Sequence, residues 1–428
     1  MLPNSRQSFK KIQIIRRRLS VILSQRSVLI GLMMICFAAQ PWSRDTGIVA
    51  YQLLVLFSCF VLFRHGGILR SLKNIRWLVV GLLLLAFTSI ISWLFREYQE
   101  APFRAVKPYI LLLSIILIFL ALQSFKLTQR HLFLIAFTAG LSLTVYAISE
   151  HLSGNYRRWS AVENAVDFGN YSAIIGGLLI LLAVHFKGDK GRKFVPALLL
   201  IVGGIAFYAS FRSGTRSSLA IVVLALVGLL LYILIAKRNW TVIGLILLSG
   251  LVAGYAIKDN PRIGYMGVEL TKAMEGNYSS GSLGQRLELW RLSACIAKDT
   301  PVFGVGPGAL KYAQLDKWPE RCGVTIHAPR GYFYQAHSVY FQTLATLGGG
   351  GLLSLLFVFG VLVFFGVQRL NKGGIPLVFV SLSFMSAGLT VDLFFKDFLV
   401  VRFVLLVVIG LCWLQLQNYD TRRLEGVT

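Results

Sequence analysis

The chain has 428 residues, 56% of them hydrophobic, with a mean hydropathy of +0.69. A soluble domain of this length does not carry so much apolar surface, so the net charge of +25 is read against a membrane. Nucleic-acid binding needs a basic face on a soluble fold, and none is encoded, so no nucleic-acid partner is expected.

Apolar stretches near twenty residues recur along the whole sequence, and each crosses a hydrocarbon core of roughly 30 Å as a helix. Helices are the natural form because unpaired backbone is costly in lipid, and the runs are too uniform for alternating barrel strands. The opening KKIQIIRRRLS followed by VLIGLMMICFAAQ has the layout of a secretory signal. We read it as the first membrane helix, with its basic flank in the cytoplasm. The expected spans are 21–40, 46–64, 76–95, 105–123, 132–150, 168–186, 193–210, 217–236, 240–257, 338–368, 375–391 and 398–416. The fold class is therefore an all-α polytopic membrane protein of about 12 transmembrane helices, with a partly helical periplasmic cap loop. It divides into helices 1–9 over 1–257, the large loop over 258–337, and helices 10–12 with the tail over 338–428.

Orientation follows from Lys and Arg. The N-terminus, RHGGILRSLKNIR (64–76), KLTQRH (126–131), KGDKGRK (187–193), KRN (237–239), RLNKGG (369–374) and the tail fall on alternate connections and are strongly basic, which places both termini in the cytoplasm. The opposite side holds PWSRDTG (41–47), FREYQEAPFR (95–104), the segment 151–167, SFRSGTR (210–216) and the large loop. Helices are expected in that loop at 268–275 and 285–298, the second with Leu287, Trp290, Ala294 and Ile296 facing the membrane domain. Cys36, Cys59 and Cys412 read as buried fillers within spans. Cys295 and Cys322 share the outer loop and are candidates for a disulfide if that side is oxidising.

The chemistry-bearing residues lie on the outer side. ASFRSGTRSSLA puts Arg212 and Arg216 in a tight turn where positive charge is disfavoured, and Arg216 meets a helix N-terminus that favours an anion. A guanidinium fork there suits phosphate; a lone arginine would read as a snorkelling side chain. Arg286 opens the amphipathic stretch of the loop, with a plain salt bridge to Glu288 or Glu275 as the alternative. His337 begins HSVYFQTLATLGGGG, where a helix dipole disfavours the imidazolium and leaves a neutral ring able to accept a proton. Gly348–Gly351 allow close backbone approach that would hold that helix start rigid, or simply serve helix packing. GVGPGAL (304–310) reads as ordinary turn glycines. No zinc spacing, paired-carboxylate motif, nucleotide loop or serine elbow is found, so no metal or cofactor is expected. Two or three arginines and a neutral histidine suggest transfer of a group from a lipid pyrophosphate to an alcohol.

These motifs resemble the O-antigen ligase and polymerase superfamily of bacterial envelopes. His337, Ser338, Gly348 and Gly351 match its histidine–glycine pattern, although Leu352 and Leu353 stand where the family has threonines. SGTRSS matches the turn that carries its arginine, placing it on Arg216, and GQR matches the loop arginine, placing it on Arg286. The resemblance implies an O-antigen ligase: a glycan on undecaprenyl pyrophosphate passes to a sugar hydroxyl of lipid A core at the periplasmic face of the inner membrane. His337 would be the general base, Arg216 and Arg286 would bind pyrophosphate with Arg212 in support, and no metal would be needed. An O-antigen polymerase, a protein O-oligosaccharyltransferase and, from another class, a lipid-linked glycan transporter stay open. A transporter would place charge at mid-membrane, for which Glu150 and Arg402 are the candidates.

Overall fold

The computed structural model describes residues 25–65, 69–125, 127–154, 159–161, 164–185, 194–236, 267–269, 271–272, 275, 281–325, 334–394 and 396–425. The span expected at 240–257 and the N-terminal basic flank lie outside these residues. Every regular element among them is helical. The long helices, in chain order, are α1 (Gln25–Ala39), α2 (Arg44–His65), α3 (Arg76–Leu94), α4 (Lys107–Gln123), α5 (Gln129–Leu152) and α6 (Ala165–His185). They continue with α7 (Phe194–Arg212), α8 (Arg216–Ala236), α9 (Gly281–Asp299), α10 (Val339–Val367), α11 (Ile375–Gly388) and α12 (Asp397–Glu425).

Seven of them are long and apolar enough to cross a membrane: α2, α3, α5, α6, α7, α10 and α12. Shorter apolar helices occupy the expected positions of α1, α4, α8 and α11. Helix α4 is interrupted at Leu112 and Leu113, where Leu113 and Ile115 donate three residues back rather than four. Helix α11 stops at Gly388, short of the expected 391, because Val391, Asp392, Leu393 and Phe394 form a buried loop instead. In α6 and α12, 89% of the apolar stretch is buried, against 39% in α3 and α10, so the former pair sits at the centre. Outward faces carry Phe63, Phe87 and Leu353, the surface expected to meet lipid. Cys36 and Cys412 are buried as expected, but Cys59 lies on the exposed face of α2. The α2 face that packs inward uses Tyr51, Leu54 and Ser58 instead.

The connections that the charge pattern assigned to one side meet at one end of the bundle. Lys107 pairs with Asp397 at 2.6 Å, Lys396 with Asp167 at 2.7 Å and Arg216 with Glu269 at 2.9 Å. Asp397, expected in a loop, forms the first turn of α12. Arg402, a mid-membrane candidate, is buried in that helix; it donates to Gln40 Oε1 at 3.0 Å and the Asp167 carbonyl at 3.2 Å, and stacks on Tyr171. Its charge ties α12 to α6 and α1. Glu150 sits at the end of α5, where Ser153 caps its carbonyl.

The cap rests on this end. Helix α9 starts at Gly281, so part of the Gly/Ser stretch expected to turn is helical. Its buried stripe is Leu289, Leu292 and Ile296, while Ala294 faces out. Trp290 stacks on Phe341 of α10 at 5.0 Å and donates to the Ala336 carbonyl at 3.1 Å. A disulfide joins Cys295 of α9 to Cys322, with Cα atoms 6.0 Å apart.

The glycine run of α10 is where cap and membrane helix interlock. Gly348 has φ 68° and ψ −166°, a conformation essentially confined to glycine, and the helix kinks there. The break frees the carbonyls of Ala345 and Thr346, which would cost several kcal/mol unpaired near lipid. The cap loop supplies donors: Val305 N–H to Ala345 O and Gly306 N–H to Thr346 O, both at 3.0 Å. Gly349 N–H in turn donates to Pro301 O at 2.7 Å, and Ser92 Oγ of α3 donates to Thr346 O at 2.7 Å. A Cβ on Gly304 or Gly348 would collide with the opposing backbone. The glycines therefore admit a loop, not a neighbouring helix, and GVGPG is the segment that fills the break.

Candidate functional site

The turn before α8 is pinned from below. Gly169 of α6 leaves room for Ser213 and Thr215, whose side chains would meet a Cβ there. Thr215 Oγ1 donates to the Ala165 carbonyl at 2.7 Å, Ser213 Oγ to Thr215 Oγ1 at 2.9 Å, and Ser217 Oγ to Asn170 Oδ1 at 2.8 Å. Gly214, at φ 60°, makes the reversal. Arg216 is thus fixed as the first residue of α8, half-buried, with its guanidinium on buried Glu269.

Arg286 comes from α9, on the far side in sequence. Its pKa is lowered, first by burial and then by Arg216, with Glu269 acting in the opposite direction. It makes no hydrogen bond with any of the described residues. Two guanidiniums therefore share one carboxylate, and Arg286 has none to itself: neither Glu288, which pairs with Arg291, nor exposed Glu275 holds it. A local excess of buried cation is relieved by an incoming anion.

His337 lies two residues before α10, with φ 52°, a left-handed conformation that costs a non-glycine residue about 1 kcal/mol or more. Its neighbours fix it there: Ala336 N–H donates to Gln342 Oε1 at 2.8 Å, Ala336 O accepts from Trp290, and Val339 N–H donates to Val391 O at 3.1 Å. The imidazole pKa is pushed down to about 4, first by burial, then by Arg286 and Lys396, with Asp167 opposing. The ring is neutral at ordinary pH, as expected; burial and two cations, more than the helix dipole, are the cause. Ser338 is the N-cap residue, yet its side chain makes no capping bond. Its buried Oγ has no hydrogen-bond partner among the described residues.

The O-antigen ligase family model matches residues 197–356. This chain is similar to that family. The match runs from α7 to the glycine run of α10, so it takes in Arg212, Arg216, Arg286, His337 and Ser338. Comparison with curated proteins finds no match. Members of the family are glycosyltransferase-like membrane enzymes, and the helices make this a multi-pass membrane protein.

Of the four side chains expected at the site, the fold gathers three: Arg286 acts electrostatically on both Arg216 and His337. Arg212 is held apart on the indole of Trp159, 5.2 Å from the ring centre, and its Nε has no hydrogen-bond partner among the described residues. Three groups at the site escaped the sequence reading. Glu269 joins Arg216, Lys396 reaches His337 from the start of α12, and Asp167 anchors Lys396 while accepting from Asn164 at 2.7 Å. Lys396 carried a usable signal, since a cation on the outer side breaks the same rule that singled out Arg216.

Proposed function

We propose that this chain is an O-antigen ligase, moving a glycan from undecaprenyl pyrophosphate to a sugar hydroxyl of lipid A core at the periplasmic face of the bacterial inner membrane. The observation that carries this reading is the convergence of Arg216, Arg286 and His337 from three distant segments at one end of a membrane bundle. Pyrophosphate seats on the two guanidiniums, which hold the charge that develops as it leaves. His337 takes the proton of the acceptor hydroxyl as its oxygen attacks the anomeric carbon; the bond from that carbon to the phosphate oxygen breaks, and its electron pair leaves with the pyrophosphate. Attack from the face opposite the leaving group inverts the centre. The leaving group already carries phosphate charge, so the step requires no metal. The disulfide fits an oxidising compartment on the cap side, with both termini in the cytoplasm.

The test uses purified protein in lipid with the undecaprenyl-pyrophosphate glycan and lipid A core. Joined product is followed by gel mobility for the wild type and His337→Ala, with EDTA present. Metal-independent product that disappears in the variant is expected. Glycan chains that lengthen without joining the core would replace the ligase with a polymerase, and product surviving in the variant would remove His337 as the base.

A further inference from the structure

A cavity of about 540 Å³ opens at the same end of the bundle, and none of Arg216, Arg286 or His337 lines it. Its wall carries five cations, Arg44, Arg104, Lys107, Lys311 and Lys396, against two carboxylates, Asp392 and Asp397. Asp397 is taken by Lys107, and Lys396 by Asp167. Arg44, Arg104 and Lys311 have no carboxylate partner among the described residues. Helices α2, α4 and α12 all begin at this wall, so their N-terminal amides add positive potential. The volume falls within the usual range for small-ligand sites.

The cavity is linked to His337 from two directions. Gln342 lines it and accepts the amide of Ala336, beside the histidine. Lys396 lines it and acts on the imidazole, as Arg286 does from the cap. Inverting transfer needs the acceptor hydroxyl on the face of the sugar opposite the leaving group. Two separate cationic groups that meet only at the base match two substrates that meet only at the reacting carbon.

We propose that this cavity is the acceptor subsite and that it holds the acceptor by its phosphate groups, with Arg104 and Lys311 as the principal anion contacts. The acceptor class is a phosphorylated glycolipid oligosaccharide. This rests on the transfer reading above. A membrane phospholipid headgroup offers the same phosphate chemistry, so the experiment separates the two sources.

The double variant Arg104→Gln/Lys311→Gln is compared with wild type on phosphorylated acceptor and on the same acceptor after phosphatase treatment. Its acceptor KM is expected to rise about tenfold on the phosphorylated substrate, the loss of one charge-assisted contact, and by less than about twofold on the dephosphorylated one. Restoring charge with Arg104→Lys/Lys311→Arg is expected to recover most of the loss. A rise in donor KM, or equal losses on both acceptors, would overturn the proposal. So would competition by dihexanoyl phosphatidylglycerol as effective as that by the acceptor's own phosphorylated oligosaccharide. If wild type transfers no glycan, the ligase reading fails by itself. Thermal-shift titration with the phosphorylated acceptor then decides the cavity: weaker binding by the double variant supports it, and equal binding overturns it.

Discussion

The turn that carries Arg216 and the segment that carries His337 are built on opposite principles. Around Arg216, Ser213, Thr215 and Ser217 all have hydrogen-bond partners, and the guanidinium already holds Glu269. Around His337 the backbone is strained and the adjacent Ser338 hydroxyl is buried without a partner among the described residues. A binding group gains from being pre-set, because fewer side chains must be ordered when the anion arrives. The reacting group sits in a place tolerated only because Gln342, Trp290 and Val391 hold both sides of it. Such strain at a residue with a job to do is a recurrent pattern, and here it suggests that position has been kept at the expense of stability.

That contrast breaks most sharply at His337 itself. His337→Gly should lower kcat/KM by about 10²–10⁴, the usual contribution of a general base. It should not lower Tm, because glycine accepts φ 52° freely. A variant that loses both activity and stability would mean that the histidine is structural and the comparison wrong.

Gly348→Ala tests what holds that segment. The alanine would have to adopt a glycine-only conformation and meet the Val302 carbonyl, so a loss of at least about 2 kcal/mol is expected. Thermal unfolding in detergent measures it. Activity should fall with it, because the cap loop that carries Gly304 and Gly306 is bonded to the same break.

Arg216 and Arg286 sharpen the comparison through opposite signs. Each change to Gln should cost roughly 10- to 100-fold in kcat/KM through a lost charge-assisted contact with pyrophosphate. Arg216→Gln also leaves Glu269 buried and unpaired, which costs about 1–3 kcal/mol of stability. Arg286→Gln removes a cation whose larger electrostatic neighbour is another cation, so stability should hold or rise. Equal destabilisation by both would show that Arg286 is committed to a protein partner.

Much of the fold follows from runs of about twenty apolar residues, since lipid allows few alternatives to a helix. The Arg216 turn and the His337 helix start were legible because each is local: glycine, serine and arginine within a few residues, and a histidine at the foot of an apolar run. What escaped is non-local. Nothing in GVGPG says that its amides meet the carbonyls of Ala345 and Thr346 some forty residues on. Glu269 reads as one of several loop acids until Arg216 is placed against it. The cavity draws cations from the starts of three helices and the cap, and no single stretch contains two of its three unpaired members. A stricter use of the charge rule would have helped, because Arg44, Arg104, Lys107 and Lys396 all stand on the side where positive charge is disfavoured.

Protonation of His337 gives a smaller effect with a definite sign. A ring held near 4 is neutral above that pH, so kcat/KM should fall as pH drops through about 4 rather than through the 6.5 of an ordinary histidine. The unfolded chain binds this proton more readily, so the residue's contribution to stability should decline as pH falls from about 6.5 to 4. Bound pyrophosphate offsets Arg286 and Lys396, which should raise the ring pKa and move the acid limb of kcat above that of kcat/KM. Identical limbs would place the anion elsewhere.

Ser338→Ala is expected to have the least effect and is the most discriminating about substrate. Because its Oγ accepts and donates nothing among the described residues, removing it costs the free protein no hydrogen bond, and Tm should stay the same or rise slightly. If the hydroxyl is kept for substrate, kcat/KM should fall about fivefold, the value of one neutral hydrogen bond of near 1 kcal/mol. Ser338→Gly would add backbone freedom at the N-cap and confuse the two effects, so alanine is the cleaner change. A loss that appears in acceptor KM alone would put the hydroxyl on the acceptor's side of His337, next to the cavity that Gln342 shares. A loss in donor KM would put it with Arg216 and Arg286, and the pre-set and the strained halves of the site would then grip the same molecule.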